Sequence, residues 1–210
     1  MAKYLKKFSA HTDYNSFTQS EDFITPNVSH CVTENEMHYN PIPDPRLIMT
    51  FFIWESDLEY GTELYYYNAV AQEYSPAVKG VDLFDKIEVD GVGVPISTLD
   101  ANQGKYTFSS SGEHIISYTL KDATTISPYA FYRLSSIIRI TVPNTVNTIG
   151  TYAFRGCSKL VELTMPNSIT SIGDNAFCNY SVSYLDDTEI VNRIQSINPN
   201  AIDYTCRCMA

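Results

Sequence analysis

The sequence predicts a mainly β protein, in which an N-terminal arm precedes a small antiparallel β domain and a short solenoid of repeats. Equivalent residues recur every 23 positions in the second half of the chain, as at Ile126, Ile149 and Ile172. Such a period is typical of stacked repeat units. Before the repeats, short alternating runs of apolar and polar residues are separated by turn residues, which predicts antiparallel strands.

The composition of the chain excludes some classes of partner. The 210 residues are 44% apolar and carry a formal net charge of -10. Because nucleic acid is bound largely through Lys and Arg contacts to phosphate, we expect no nucleic-acid partner, and an anionic membrane surface is equally disfavoured. No apolar run reaches the ~18 residues of a membrane span or forms a signal peptide after Lys7, so we expect cytoplasmic synthesis and no membrane insertion.

Residues 1–45 form the predicted arm, which we expect to serve as an attachment region. Val28–Thr33 and Glu36–Tyr39 flank a turn and indicate a two-stranded hairpin, and three prolines then enforce an extended exit. A lone hairpin is marginal in water, so the arm must dock on a larger body. The residues expected to anchor it are Phe8, Tyr14, Phe17, Val28 and Tyr39.

Residues 46–122 form the predicted β domain. The run Leu47–Trp54 is apolar and aromatic, as in a buried strand, and Lys86–Asp90 and His114–Leu120 alternate as strands do. Several short strands at this spacing suggest a sandwich of immunoglobulin-like size, with the strand order left open.

Residues 123–210 hold the predicted solenoid. Alternation along two repeat strands places one set of apolar residues inward: Ile138, Ile140, Val142, Val161, Leu163 and Met165. If the strands stack in parallel, Arg139 lies beside Glu162, and Thr141 lies beside Thr164. These outward side chains form two rows that are two strands wide.

The Ala-Phe pairs at 130–131, 153–154 and 176–177 are expected on the opposite side of each unit. Their phenylalanines should fill the space between layers and form a stack. Because the ends of a short solenoid are apolar, both need covers. We expect the β domain to cover one end, and a degenerate unit around Ile197 and Ala201, displaced by two residues, to cover the other.

The run from Ile149 to Gly173, which reads IGTYAFRGCSKLVELTMPNSITSIG, carries a family resemblance. It resembles the BspA-like leucine-rich repeats, and the similar segment extends over about residues 124–202. The resemblance implies an interaction surface, since members of that family are mostly cell-surface proteins of host-associated bacteria and protists, many of them adhesive.

The arm carries a second resemblance, through Pro26–Ser29 and Met37–Pro41. It is similar to the starts of proteins of gut Bacteroidales and their crAss-like tailed phages. This implies a virion structural protein, such as a capsid head fibre or decoration protein, that is made in the bacterial cytoplasm and anchored by the arm to capsid or other virion proteins. We expect such a protein to be a homo-oligomer.

The alternative to a virion protein, which the resemblance of the repeats implies, is a bacterial adhesin at the cell surface. Its ligand would be a host-surface protein or a glycan. The interaction face predicted on either hypothesis comprises Arg139, Thr141, Glu162 and Thr164.

Residues that could support catalysis or bind metal are sparse. His30, Cys31 and His38 are near one another on the predicted hairpin, but adjacent strand residues point to opposite faces. His114 is expected at the surface or a sheet edge. The five cysteines lack zinc-ligand spacing and indicate reduced thiols.

Two acidic pairs, Asp82 with Asp85 and Asp186 with Asp187, lie in polar stretches where solvated charge is the ordinary state. No nucleophile, phosphate-loop or zinc-protease motif occurs. We therefore predict no catalytic, cofactor or metal site, and a protein that is not an enzyme.

Overall fold

The computed structural model describes residues 45–71, 76–178 and 188–202. The chain divides into two compact units, Met1–Pro43 and Asp44–Ala210, and the described residues all belong to the second. The residues predicted to anchor the arm lie outside the described residues: Phe8, Tyr14, Phe17, Val28 and Tyr39.

The described residues are mainly β, as predicted. The strands are β1 (Leu47–Ile53), β2 (Thr62–Glu63), β3 (Phe84–Val89), β4 (Val92–Val94), β5 (Lys105–Tyr106), β6 (Gly112–Leu120), β7 (Thr125–Ile126), β8 (Ile137–Thr141), β9 (Thr148–Ile149), β10 (Glu162–Thr164) and β11 (Ser171–Ile172). The helices are α1 (Asp57–Tyr60), α2 (Gly80–Leu83), α3 (Ile96–Ala101) and α4 (Thr188–Ile197), and a 3-10 turn spans Pro199–Ala201.

One six-stranded sheet joins the two halves of the described chain, in the order β10-β8-β1-β6-β3-β4. Strand β1 lies at the joint, antiparallel to both β6 and the repeat strand β8. Its odd-numbered residues from Leu47 to Ile53 are fully buried, whereas Ile48, Thr50 and Phe52 are half-buried. The strand therefore has one core face and one outer face, instead of the burial on both faces that its apolar run suggests.

The strands of the predicted β domain do not confirm an immunoglobulin-like sandwich. The strands β1, β3, β4 and β6 share one sheet, while β2 and β5 form a separate pair. Residues on both sides of the predicted boundary at 122/123 share one hydrophobic core. Phe84 and Tyr118 of the first region contact the repeat residue Phe131, with ring centroids 5.8 and 5.1 Å apart.

The 23-residue period corresponds to stacked layers. The strands β7, β9 and β11 pair in parallel and bring Ile126, Ile149 and Ile172 into one buried row. The predicted phenylalanine stack is confirmed. The ring of Phe154 lies 5.4 Å from that of Phe131 and 5.3 Å from that of Phe177, at interplanar angles of 5° and 18°.

Two glycines set how closely the layers approach. Gly150 and Gly173 occupy equivalent places, and a Cβ atom on either would collide with the backbone of the preceding layer at Pro128 or Thr151. Their amides donate to the carbonyls of Ile126 and Ile149, at 2.8 Å in each case. Close approach of two backbones thus explains why glycine is needed there.

The last described layer ends in a helix that the sequence pattern does not reveal. The amide of Phe177 donates to Ala201, as those of Phe131 and Phe154 donate to Ala153 and Ala176, so the ladder continues at the displaced position. The strand side is replaced by α4, from which Arg193 donates to the carbonyls of Met165 and Pro166 at 2.9 and 2.6 Å.

The predicted inward positions are wrong at Ile138 and Val161. The pairing of β1 with β8 shifts between Thr50 and Phe51, which are opposite Arg139 and Ile137, so Ile138 is the extra residue of a bulge. Ile137 is buried in its place, and Ile138 is half-buried. Val161, whose amide donates to Ile138, is 48% exposed.

Candidate interaction face

The outer face of the six-stranded sheet consists of the side chains that point away from the core. Parallel pairing of β8 and β10 places Arg139 beside Glu162 and Thr141 beside Thr164, which confirms the predicted register. The predicted width of two strands is wrong, because β1 pairs with β8 and extends both rows. The longer row runs through Thr164, Thr141, Ile48, Ser117, Glu88 and Gly93, and the shorter through Glu162, Arg139, Thr50 and Ile115.

Ion pairs cross the strands of this face. The Nη1 atom of Arg139 lies 2.7 Å from Glu113 on β6, and its Nε atom lies 3.3 Å from Glu162 on β10. The hydrogen bond that Arg139 donates to Glu113 is the main cause that raises the pKa of Arg139. The side chains of Arg139, Glu113 and Glu162 are 41%, 50% and 64% exposed, and solvent-accessible pairs of this kind add little stability. Their main consequence is a fixed pattern of charge on the surface.

A second ion cluster lies across β3 and its neighbours. Glu88 accepts from Lys86 at 2.8 Å and from Arg46 at 2.9 Å. These bonds, with that from Lys86 first, lower the pKa of Glu88. Glu88 is therefore charged at neutral pH.

One end of the outer face is apolar. Trp54 follows β1 and is 50% exposed, and its ring packs edge-on against Phe52 with centroids 4.7 Å apart. The ammonium of Lys159 lies 4.9 Å from the centre of the Trp54 ring. Val161 is 48% exposed, and Ile115, which is 55% exposed, adds apolar surface further along the face, opposite Thr50. A mixed aromatic and cationic patch has the composition of a contact surface.

Sequence reasoning missed this apolar patch because it treated Leu47–Trp54 as buried throughout. A signal exists in the sequence, since Phe52 and Trp54 have the parity opposite to Phe51 and Ile53. The period-2 geometry of a strand places the two pairs on different faces. Without knowing that one face is open, the parity alone does not say which pair is exposed.

A tyrosine cluster, which we define as Tyr66, Tyr129, Tyr132 and Tyr152, combines three residues on the turns of the repeats with Tyr66, which follows β2. Ring centroids are 4.9 Å apart for Tyr129 and Tyr152, 5.2 Å for Tyr66 and Tyr132, and 5.5 Å for Tyr129 and Tyr132. All four are half-buried. Burial first, then the neighbouring Tyr152 and Tyr132, raises the pKa of Tyr129, so its hydroxyl is neutral at neutral pH.

His114 does not lie at the surface, contrary to the prediction. Only 8% of the residue is exposed, its Nδ1 lies 2.6 Å from Asp90 and its Nε2 lies 2.9 Å from the carbonyl of Ser110. Burial acts to raise the pKa of Asp90. The hydrogen bonds from His114 and from the amide of Ile115 outweigh this effect, so the pKa of Asp90 is lowered. The two side chains tie the turn after β3 to the start of β6, which is a structural role.

The other candidate reactive groups are either exposed singly or enclosed. Asp82 and Asp85 are both exposed, and no group of three or more His, Cys, Asp or Glu among the described residues is arranged to hold a metal ion. Cys157 is a free thiol that donates to the carbonyl of Phe131 at 3.3 Å, and burial raises its pKa to about 12. Such a thiol is not a nucleophile at neutral pH.

Other predicted positions lie outside the described residues, namely His30, Cys31, His38, Asp186 and Asp187. Cys178 is a second buried cysteine. Within residues 45–71, 76–178 and 188–202, no helix is both long and apolar enough to cross a membrane.

Comparison with known proteins agrees with the stacked architecture. The family model described as the BspA type leucine rich repeat region (6 copies) matches residues 102–208. No curated protein and no solved structure matches the chain. The family match includes the repeat strands, the phenylalanine stack and α4, and the chain belongs to the BspA type leucine-rich repeat family.

Proposed function

We propose that the protein is a non-enzymatic binding module whose outer sheet face contacts a host-surface protein or a glycan. The observation that carries the proposal is the continuous outer face, which joins the charged rows of the repeats to the apolar patch at Trp54. The family match supports a surface-binding or adhesin-like module. Contact surfaces commonly combine an apolar anchor with a charged surround, and this face has both.

The outer face suits contact of moderate strength. Its cations and anions are already paired within the face, as Arg139 is with Glu113 and Glu162. A partner must therefore compete for these charges, and its gain comes mainly from covering Trp54, Ile115 and Val161. We expect weak single contacts that become strong when several copies bind together.

The binding test compares matched variants on a glycan array and in pull-downs with purified host-surface proteins. Trp54→Ala should reduce binding about tenfold or more, since large aromatic anchors carry most of the energy of an interface. Tyr60→Ala is the matched control, because Tyr60 is a more exposed aromatic residue on α1, outside the sheet.

Variants of the charged rows test whether these residues contribute to binding independently of the apolar patch at Trp54. We expect Arg139→Ala with Glu162→Ala to weaken binding and to reduce its dependence on salt. Glu59→Ala, an exposed carboxylate on α1, is the control. Equal binding by wild type and by both face variants would remove the outer face from the proposed function.

A virion location is a second proposal, supported by the division of the chain into the units Met1–Pro43 and Asp44–Ala210. On this proposal the first unit attaches the protein to capsid or other virion proteins, the repeats form a solenoid that faces outward, and the protein is a homo-oligomer. Deletion of residues 1–45 should leave a folded body that is absent from particles. Continued incorporation into particles would contradict the anchoring role, and bacterial surface display would favour the adhesin alternative.

A further inference from the structure

The six-stranded sheet ends in two edge strands, β10 and β4, which are covered to different extents. At β10, Arg193 of α4 donates to the carbonyl of Met165, and Leu163 is only 3% exposed. At β4, Gly93 is exposed and Val92 is 69% exposed. An edge strand presents main-chain groups that can pair with another chain. The accessible edge of the described sheet is therefore β4.

The main chain of β4 presents one donor and one acceptor to this edge. Asp90 and Gly91 have φ angles of 49° and 81°, as in the type I′ turn that closes a two-residue hairpin loop. The flanking Val89 and Val92 face each other across that loop and exchange hydrogen bonds. Because the direction of main-chain groups alternates along a strand, the N–H and C=O groups of Gly93 point away from β3. A Cβ atom at Gly93 would meet nothing within 4 Å, so a further strand can reach these groups.

Val92 is exposed although it belongs to the core face of the sheet. Val92 and Val94 lie opposite Val89 and Ile87, which are both buried. Val94 is half-buried, whereas Val92 extends past the part of the core that would cover it. A further strand with an apolar side chain on the same face would remove Val92 from water.

The sequence of β4 favours a second copy of this chain as the occupant. Val92-Gly93-Val94 reads the same in both directions. Antiparallel pairing of two β4 strands about Gly93 therefore places Val92 of each copy opposite Val94 of the other, on the core face. On the outer face the two glycines lie opposite each other, so no side chains collide. Such a twofold contact is self-complementary.

The charges near β4 are compatible with a second copy, although the net charge of the chain is -10. Strand β4 has no charged residue, and Glu88, opposite Gly93, is paired with Lys86 and Arg46. The Glu88 residues of two copies would lie three strand spacings apart, about 14 Å, and the Asp90 residues about 20 Å apart. Both separations exceed the Debye length of about 8 Å. The repulsion between copies is therefore long-range, and added salt reduces it.

We propose that two copies of the chain pair through β4, antiparallel about Gly93, and extend the sheet from six strands to twelve. The twofold axis of an antiparallel pair is perpendicular to the sheet, so both outer faces lie on the same side. The patch at Trp54 stays accessible, because β6 and β3 separate β1 from β4. The contact is only three residues long and is followed by Pro95, so the dimer is weak. Its two outer faces can bind one partner surface together.

The test measures self-association of the full chain without any ligand, so its result does not depend on the proposed function. Sedimentation equilibrium up to about 1 mM chain should show a monomer–dimer equilibrium that strengthens as salt is added. Hydrogen exchange of the Gly93 amide should slow as the concentration rises. A monomer at every concentration, or a dimer that weakens in salt, would overturn the proposal.

Two variants close the edge in different ways. Gly93→Pro removes the N–H group at an edge position where proline is tolerated, and Val92→Lys places a charge on the edge. Each should weaken the dimer about tenfold or more, since Gly93→Pro alone removes two hydrogen bonds per dimer. The matched controls are Gly93→Ala, which keeps the N–H group, and Val70→Lys, at a residue that is also 69% exposed and lies outside the sheet. Both controls should dimerise as wild type does.

The lysine variants separate the edge from a general effect of charge. Val92→Lys and Val70→Lys both reduce the net negative charge, which by itself favours association of two copies. Loss of the dimer in Val92→Lys alone is therefore specific to β4. If the melting temperature shows that Gly93→Pro is misfolded, Val92→Lys decides the matter. Wild-type association of Val92→Lys, or equal weakening by Val70→Lys, would overturn the proposal.

Discussion

At the residue scale, two glycines allow the backbones of successive layers to approach closely. Gly150 and Gly173 are 23 apart in sequence and contact the backbone of the preceding layer. A sequence reader sees only a recurring glycine at this position. The reason for it, a backbone approach too close for a Cβ atom, comes from the structure.

Gly150→Ala should therefore destabilise the protein by about 1–3 kcal/mol, because the added methyl group forces the layers apart. The free energy of unfolding in urea measures the effect. Gly93→Ala is the matched control, since a Cβ atom at Gly93 meets nothing within 4 Å and should change stability by less than about 0.5 kcal/mol. Equal losses in the two variants would contradict this account of the layer spacing.

Asp90 should contribute a pH-dependent part of the stability. Its pKa is lower in the folded protein than the ordinary value of 3.8, so the contribution is present above that value and is lost as the pH falls through the folded-state pKa. We expect wild type to exceed Asp90→Asn in urea midpoint at neutral pH and the difference to narrow in acid. A difference that stays constant or grows in acid would show that the Asp90 charge is not responsible.

At the element scale, the regular part of the fold could be predicted and the irregular part could not. The 23-residue period specifies the parallel register of β8 with β10 and the alignment of Phe131, Phe154 and Phe177, because identical units stack on themselves. The bulge at Ile138 arises from a partner outside the repeats, so the period contains no information about it. The period also contains no information about α4, whose Arg193 donates to the carbonyl of Met165 where a further repeat strand would otherwise pair.

Partners that are distant in sequence also explain the missed residues of the candidate site. His114 can be buried because its two ring nitrogens form hydrogen bonds with Asp90 and with the carbonyl of Ser110. Neither hydrogen bond follows from the alternation of β6 alone. Trp54 and Ile115 belong to the outer face because β1 joins β8 to β6. The four predicted face residues were read from the repeats, where internal similarity supplies the register.

The phenylalanine stack should be the most sensitive element of the core. Phe154 lies between Phe131 and Phe177 and is fully buried, so Phe154→Ala should cost about 3–5 kcal/mol through lost burial and the cavity that remains. Phe52→Ala, on the half-buried outer face, should cost clearly less. Urea unfolding of both variants measures the difference, and a larger loss at Phe52 would contradict the central role of the stack.

At the scale of the whole molecule, the shared sheet couples the β region to the repeats. Because β1 lies between β6 and β8, neither half keeps a complete sheet without the other. The family match begins at residue 102, before the first repeat, and so also includes β6 of the shared sheet.

The second unit, Asp44–Ala210, should therefore unfold in one cooperative transition. Trp54 is the only tryptophan and lies where β1 meets the repeat residue Lys159, so its fluorescence reports on the joint. We expect the fluorescence and far-ultraviolet circular dichroism transitions to coincide in urea. Two separated transitions would instead match independent domains divided near residue 122.

The close contact at Gly150 and Gly173 also means that a further repeat could be stacked in the same way. Each layer presents to the next the same carbonyls, at Ile126, Ile149 and Ile172, and the last of these is occupied by the side-chain amide of Asn198 at 2.8 Å. Duplicating one 23-residue repeat ahead of α4 would lengthen the outer face by one strand, about 4.8 Å, and add one ring to the stack. The joint at β1 and the closing helix would be left intact, so the reach of the molecule can change by tandem duplication without a new fold.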